Sequence, residues 1–259
     1  MSNTVKIVTF NIRCSYDSFD GINAFVHRAG LVLDKIDSEK PDIICFQEVT
    51  PPHASLLKRS LKDYTVIYNG RLENFDGEGL CILVRDGVEL ISHDFFWLSP
   101  TPRVPASRFV EDQSECPRIA TATMLNKNGK RFLVYNAHLD HEGTSARVKG
   151  TSVLLDRVKA DNELYDLPVF IMGDFNDFPN SECLKEYHNF SYPKLTDLTD
   201  KISITFHNYG RIEDYCKIDY IFADEKTAPS CTQGVAWEEN KNGIYLSDHY
   251  PVAIEWNAD

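Results

Sequence analysis

Residues 169–177 read Val-Phe-Ile-Met-Gly-Asp-Phe-Asn-Asp, an apolar run that stops in two carboxylates and a carboxamide. Four residues of strong β character call for burial, and Gly173 then frees the backbone. Asp174, Asn176 and Asp177 are thereby delivered together at the end of a rigid strand. The same arrangement recurs along the chain. Asn11 closes one apolar run and Glu48 another. His138 closes Leu-Val-Tyr-Asn-Ala-His (133–138), with Asp140 two residues on, and Asp219 sits inside Lys-Ile-Asp-Tyr-Ile-Phe (217–222). Ser247-Asp248-His249 immediately precedes the last run. Each group alone is ordinary, because Asp and Asn stop strands in most folds and an Asp-His pair is more often a turn than a site. Together they place Asn, Glu, His, Asp, Asn, Asp and His at strand ends, which stacked sheets can bring to one cleft. Oxygen-rich donors of this kind suit Mg²⁺ or Mn²⁺ rather than zinc.

The elements that must hold these groups follow from periodicity. Strand patterns cover residues 5–12, 43–46, 64–68, 80–85, 88–97, 119–125, 132–138, 169–172, 204–206, 217–222 and 252–256. Phe25, Ala29, Val32, Leu33 and Ile36 recur at helical spacing and predict an amphipathic helix over residues 22–38; residues 145–162 predict a second. A short helix is expected after Pro51-Pro52. Leu98–Arg118 carries four prolines and little periodicity, so it reads as a long ordered loop. Strands with helices between some of them predict an α/β fold with sheets packed in the core and helices outside.

With 259 residues and 42% hydrophobic composition, the chain can bury a sizeable core. It carries no Pro/Gly/Ser-rich linker or repeat, so residues 1–259 read as a single domain. No apolar run reaches the roughly 20 residues of a membrane span, and the first residues lack a signal-peptide pattern. Seven cysteines without a Cys-x-x-Cys pair, several inside apolar runs, read as reduced buried thiols of a cytoplasmic protein. The net charge of −12 argues against a protein that grips duplex DNA through a broad basic surface.

The ordered set TFNIR (9–13), FQEV (46–49), NAHLDH (136–141), GDFND (173–177), KIDYIF (217–222) and SDHYPV (247–252) resembles the endonuclease/exonuclease/phosphatase superfamily from Asn11 to Pro251. RLENFDGEG (71–79) and FWLSPTP (96–102) further resemble a bacterial subgroup of uncharacterised metal-dependent hydrolases. The resemblance implies a four-layer α/β/β/α sandwich, two stacked mixed β-sheets flanked by helices, with the site at one edge of the sheets. It implies that Asn11, Glu48 and Asp248 ligate or support Mg²⁺ (or Mn²⁺). Asp174 orients or deprotonates the attacking water, and Asn176 helps to hold the phosphate. His138 and His249 face the phosphate, each backed by a carboxylate: Glu78 for His138, Asp219 for His249. A carboxylate behind an imidazole favours its protonated, phosphate-binding form.

Around this set, Arg118 reads equally as a substrate contact or a salt bridge. Asp140 reads as a neighbour of the site that shares substrate binding with Arg118, His141 as peripheral and Asp177 as a turn or surface residue rather than a third catalytic acid. His27, His53, His93, His188 and His207 read as surface or packing histidines, with His207 close to the loop leading to Asp219. The implied reaction is hydrolysis of a phosphomonoester or phosphodiester on a small phosphorylated molecule, a nucleotide or an RNA end. The alternatives are a DNA or RNA nuclease and a catalytically silent interaction domain on the same fold. Val49-Thr50 follows Gln47-Glu48 where abasic-site endonucleases usually carry Lys, and GDFND stands where inositol phosphatases carry GDLNYR; both departures count against those groups.

Overall fold

The computed structural model describes residues 3–16, 18–211 and 215–259. Its strands are β1 (Thr4–Asn11), β2 (Ile43–Val49), β3 (Tyr64–Gly70), β4 (Gly79–Arg85), β5 (Glu89–Trp97), β6 (Ile119–Lys127), β7 (Lys130–His138), β8 (Val169–Asp174), β9 (Leu195–Asp197), β10 (Asp219–Asp224), β11 (Val235–Ala236), β12 (Asn240–Lys241), β13 (Ile244–Tyr245) and β14 (Val252–Asn257). Its α-helices are α1 (Phe25–Glu39), α2 (Pro51–Ser60), α3 (Thr144–Tyr165) and α4 (Glu182–Asn189).

Two six-stranded sheets run in the orders β11-β14-β1-β2-β4-β3 and β5-β6-β7-β8-β10-β9. They share a plan: one parallel pair, β1/β2 or β7/β8, with every other neighbour antiparallel. The sheets pack face to face through Val5, Ile7, Ile43 and Ile82 from one and Phe132, Val134, Phe170, Met172 and Ile221 from the other. α1 covers the outer face of the first sheet through Val32 and Ile36, and α3 covers the second through Leu154, Leu155 and Val158. The result is the expected four-layer sandwich. Among the described residues, no helix is long and apolar enough to cross a membrane. None of the seven cysteines is in a disulfide.

Several short elements carry no periodic signal in the sequence, among them β9, β11, β12, β13 and α4, which is capped by Ser181 Oγ accepting from Leu184 N at 3.2 Å. Conversely, residues 204–206 are not a strand. The Thr205 hydroxyl accepts from the Ile218 and Asp219 amides (2.9 and 3.0 Å), so a side chain takes donors a ladder would use, and Phe206 keeps only isolated bridges to Cys216 and His249. Leu98–Arg118 is a loop, as expected, and it is tied at both ends. Ser99 bonds Ser107, and Asp112 caps α3 by accepting from the Ser145 and Ala146 amides at 2.7 and 3.0 Å.

Candidate active site

Strand parity brings the polar ends together. In β1, Val5 and Ile7 face the inter-sheet core, and the same row continues through Thr9 to Asn11. In β7 that row runs Phe132, Val134, Asn136, His138; in β8 it runs Phe170, Met172, Asp174; in antiparallel β10 it runs back from Ala223 and Ile221 to Asp219. Register sets His138, Asp174 and Asp219 side by side on three adjacent strands. Gly173 makes this close pairing possible. Its φ is +147°, and a Cβ there would sit 1.9 Å from the Ala137 carbonyl oxygen. Polar bonds then tie the sheets at this edge: Gln47 Nε2 donates to Asn136 Oδ1 (2.7 Å), and Asn11 Nδ2 to Asp174 Oδ2 (2.9 Å).

Loops complete the constellation by leaving regular geometry. The β2 ladder slips between Phe46 and Val49, and Glu48 takes φ +59°, which turns its carboxylate into the cleft. There Oε1 accepts from Asn11 Nδ2 (3.1 Å) and Oε2 from the Cys14 amide (2.9 Å). Arg13, Asn176 and Asn208, which also line the cleft, have φ of +60°, +50° and +45°. Such backbone persists only where its surroundings over-determine it. The completely buried Arg28 of α1 is one such restraint. Its guanidinium donates to Asn23 O (2.7 Å), Ile12 O (2.6 Å), Leu246 O (2.9 Å) and Arg13 O (3.0 Å), clamping the segment after β1 to the segment leading into Ser247-Asp248-His249.

The cleft has a volume of about 480 Å³. His249 Nδ1 donates to Asp219 Oδ2 at 2.8 Å, and its Nε2 lies 3.8 Å from Asp174 Oδ2; His138 Nε2 lies 3.6 Å from the same oxygen. Asp174 Oδ1 accepts from the Asn176 amide (2.9 Å). Burial, and then the charge of Asp219, push the Asp174 carboxyl up to about 7. Burial opposes the charge of His249, yet the Asp219 and Asp174 carboxylates outweigh it and raise that imidazole to about 10. His138 moves the other way: burial, then the neighbouring Arg118 and Arg71 guanidiniums, hold it well below the ordinary histidine value. One imidazole is a cation at neutral pH and the other is neutral. The arrangement can orient a water on Asp174 and place a charged donor, His249, against an anion.

The chain matches the Endonuclease/Exonuclease/phosphatase family over residues 8–249. It is a member of that family. The family's members are hydrolases of phosphoester bonds. An endonuclease/exonuclease/phosphatase from Bacteroides vulgatus superposes with a TM-score of 0.87 at 26% identity, covering 99% of both chains. A functionally unknown conserved protein from Enterococcus faecalis does so with a TM-score of 0.84 at 28% identity, over 98% of this chain and 100% of the other. In sequence, mouse tyrosyl-DNA phosphodiesterase 2 is 25% identical over 99% of this chain and 67% of its own length. An uncharacterised Acanthamoeba polyphaga mimivirus protein is 25% identical over 96% of this chain and 99% of its own.

Of the residues expected in this family member's site, Glu48, Glu78, Arg118, His138, Asp174, Asn176, Asp248 and His249 line the cleft, with Asn11 and Asp219 bonded behind them. Three expectations change. Glu78 does not back His138: it pairs with Arg71 Nη1 at 2.5 Å, and burial with the charge of Glu48 raises its carboxyl. His138 is therefore not the phosphate-binding cation that the sequence implied. Asp140 is a structural staple and not a substrate contact. Its carboxylate accepts from the amides of Ser114 (3.1 Å), Glu142 (3.1 Å) and Gly143 (2.7 Å), and from Ser114 Oγ. Asp177 is buried against Arg147 Nε at 2.9 Å, so it is no surface turn residue.

The sequence reading also passed over Arg13 and Arg71. Arg13 stands between two acids, with Nε 3.6 Å from Asp248 Oδ2 and Nη1 4.0 Å from Glu48 Oε2. Its place in TFNIR, two residues beyond Asn11, was the available signal. Arg71 follows the end of β3 and opens RLENFDGEG (71–79), the stretch that also carries Glu78, and that was the available signal.

A divalent cation fits this donor set. Glu48, His138 and Asp174 present ligand atoms within 4.8 Å of one another, and Glu48 does the same with Glu78 and Cys14. Burial raises the Asp174 and Asp248 carboxyls, with Glu48 adding to the second, so these two acids are under-compensated in the way a hard cation relieves, whereas at Glu48 burial is outweighed by Arg13 and its carboxyl is lowered. Asn11 ties this donor set together. Its Nδ2 bridges Glu48 and Asp174, and its Oδ1 accepts from the Arg13 amide at 2.9 Å.

Proposed function

We propose that this protein is a metal-dependent phosphoesterase that hydrolyses a phosphomonoester or phosphodiester by in-line attack of a water oriented by Asp174. The observation that carries the reading is the shared Asp174 carboxylate. It lies 3.6 and 3.8 Å from the two imidazoles, is fixed by the Asn11 amide, and has its affinity for protons raised to about 7, where a general base works best. His249, charged and held by Asp219, binds a non-bridging phosphate oxygen. His138, neutral, offers a hydrogen bond to the same group without adding charge. Mg²⁺ or Mn²⁺ held by Glu48 and Asp248, with Asn11 beside them, would neutralise charge developing on the phosphoryl oxygens.

The substrate class is a small phosphorylated molecule, a nucleotide or a nucleic-acid end. The relative named tyrosyl-DNA phosphodiesterase 2 supports the diester side of this reading. Duplex DNA is disfavoured by the net charge of −12, and by cleft arginines that each lean on a carboxylate: Arg13 on Asp20 and Asp248, Arg71 on Glu78, Arg118 on Asp140. The silent-domain alternative has no support at the site, where Glu48, Asp174, Asp219, Asp248 and both histidines are all ionisable groups. The test is a panel of phosphomonoesters, phosphodiesters and oligonucleotides with Mg²⁺, Mn²⁺ and EDTA. EDTA should abolish turnover and either metal restore it; full activity of a metal-stripped preparation would sink the proposal. Plasmid nicking without hydrolysis of any small ester would promote the nuclease reading.

A further inference from the structure

At the end of the sandwich where β8 begins and β10 ends, away from the active cleft, is a cavity of about 330 Å³. It lies ~17 Å along β8 from Asp174, at ~3.3 Å per residue. Leu167, Pro168, Tyr192 and Pro193 line it, and so do Asn162 of α3 and Thr227. Asn162 is 7% exposed and Thr227 6%, yet among the described residues neither the amide nor the hydroxyl has a hydrogen-bond partner. Their polar atoms open on the cavity and are not sealed inside packed protein. Side chains buried to this degree are normally bonded. Asp224, on the same wall, is already taken: its carboxylate accepts from the amides of Val169 (2.8 Å), Lys226 (3.0 Å) and Thr227 (3.0 Å).

Leu167, Pro168, Lys226 and Thr227 also line an adjoining hollow of about 450 Å³, and there the charge changes. Lys130 and Arg131, at the start of β7, line it, and among the described residues neither is in an ion pair. Lys226, on the shared wall, leans on Asp166 at 3.4 Å, in a pair more than three-quarters exposed that water screens. Asp259 is the one acid among the described residues lining this hollow. Three cations against one acid depart from the average of a chain whose net charge is −12.

We infer that the two hollows together form a binding site for a free nucleotide, separate from the active cleft. The first takes the base and the second the phosphate. The Asn162 amide offers a donor beside an acceptor, the pattern that pairs bidentately with the N6–N7 edge of adenine. The Thr227 hydroxyl adds a further bond, and Tyr192 with the two prolines supplies an apolar surface for the face of the base. The phosphate then lies past Lys226, on the unpaired Lys130 and Arg131, where charge-assisted bonds hold it. None of these residues belongs to the catalytic constellation, so the site does not depend on the phosphoesterase reading.

The experiment titrates the full chain with Mg²⁺ present and follows amide signals by NMR, which reads this site and the active cleft separately. The probes are adenosine and the phosphonate isostere of adenosine 5′-monophosphate, in which a CH₂ group replaces the ester oxygen so that no phosphoester can be cleaved. Adenosine should saturably shift the Asn162 side-chain amide and the backbone amides of Lys226 and Thr227. The phosphonate should bind there about tenfold tighter or better, a gain of about 1.4 kcal/mol. Asn162→Leu, similar in size, should weaken both probes about tenfold or more. Lys130→Gln with Arg131→Gln, both at exposed positions, should remove only the advantage of the phosphonate. Absence of these shifts, or shifts confined to cleft residues such as Asn176 and Asn208, overturns the site, as do affinities unchanged in Asn162→Leu. Equal affinities for the two probes, or an advantage that survives the Lys130/Arg131 substitutions, overturn the nucleotide assignment. No turnover enters the measurement, so its failure and the failure of the enzyme reading are distinct results.

Discussion

His249 and His138 flank the same Asp174 oxygen at nearly equal distance, and their surroundings have opposite sign. Behind His249 stands Asp219, bonded to its Nδ1 at 2.8 Å, and the ring is charged. Beside His138 stand Arg71 and Arg118, brought in from a turn and from the end of the proline-rich loop, and the ring is neutral. Two histidines at the ends of sheet elements, equivalent on inspection of the sequence, thus become a cationic anchor and an uncharged donor. Position on the strand decides that an imidazole reaches the cleft; the loops behind it decide its charge.

The most severe way to break this comparison is to remove what the two rings share. Asp174→Asn keeps the shape but cannot accept a proton, so kcat should fall by on the order of 10² or more. A loss of only a few-fold would show that Asp174 is not the base. Next, His249→Gln should cost on the order of 10² in kcat/KM, and His138→Gln on the order of tenfold, because only the first removes a charged hydrogen bond to phosphate. Equal losses would erase the asymmetry. Asp219→Asn combined with His249→Gln should cost little more than His249→Gln alone, whereas additive losses would mean that the carboxylate does not act through the ring.

The smallest effect is on stability, and its sign differs between the rings. His249 is raised from 6.5 to about 10 in the fold. The native state therefore holds this proton more tightly than the unfolded chain. Its contribution is complete below 6.5 and is lost as pH rises through about 10. His138 is lowered, so its contribution is present above 6.5 and is lost as pH falls towards its depressed folded value. Urea midpoints of the metal-free protein should therefore drop less steeply on the alkaline side in His249→Gln, and less steeply on the acid side in His138→Gln. Parallel curves for all three proteins would contradict the opposite charge states.

Most of the architecture was legible because it depends on alternation. The rows Val5-Ile7-Thr9-Asn11 and Phe132-Val134-Asn136-His138 announce both the buried face and its polar end. Asp219 behind His249 was also legible through the resemblance, and the 2.8 Å bond between them agrees with it. The partner of His138 was not. Its environment is assembled from residues 71, 78, 116 and 118, and which acid meets which base there depends on loop geometry without a period. Arg28 was hidden for a related reason. In the sequence it is one basic residue on an amphipathic helix, and only the closed fold shows four carbonyls converging on it.

The Arg28 clamp also bears on time. Its acceptors at Ile12 and Leu246 are made far apart in time, and β1 gains its antiparallel neighbour only when β14 has been made. A nascent chain that has reached residue 200 already owns Glu48, His138 and Asp174, but it lacks Asp219, Asp248 and His249, and one edge of β1 is bare. Synthesis thus makes the anchoring histidine long after Asp174, so nascent chains that stop before it should be inert towards phosphoesters and should depend on chaperones to guard that edge. Ribosome-stalled chains ending before and after Val252 would report this directly, through protease protection of β1 that arrives together with activity.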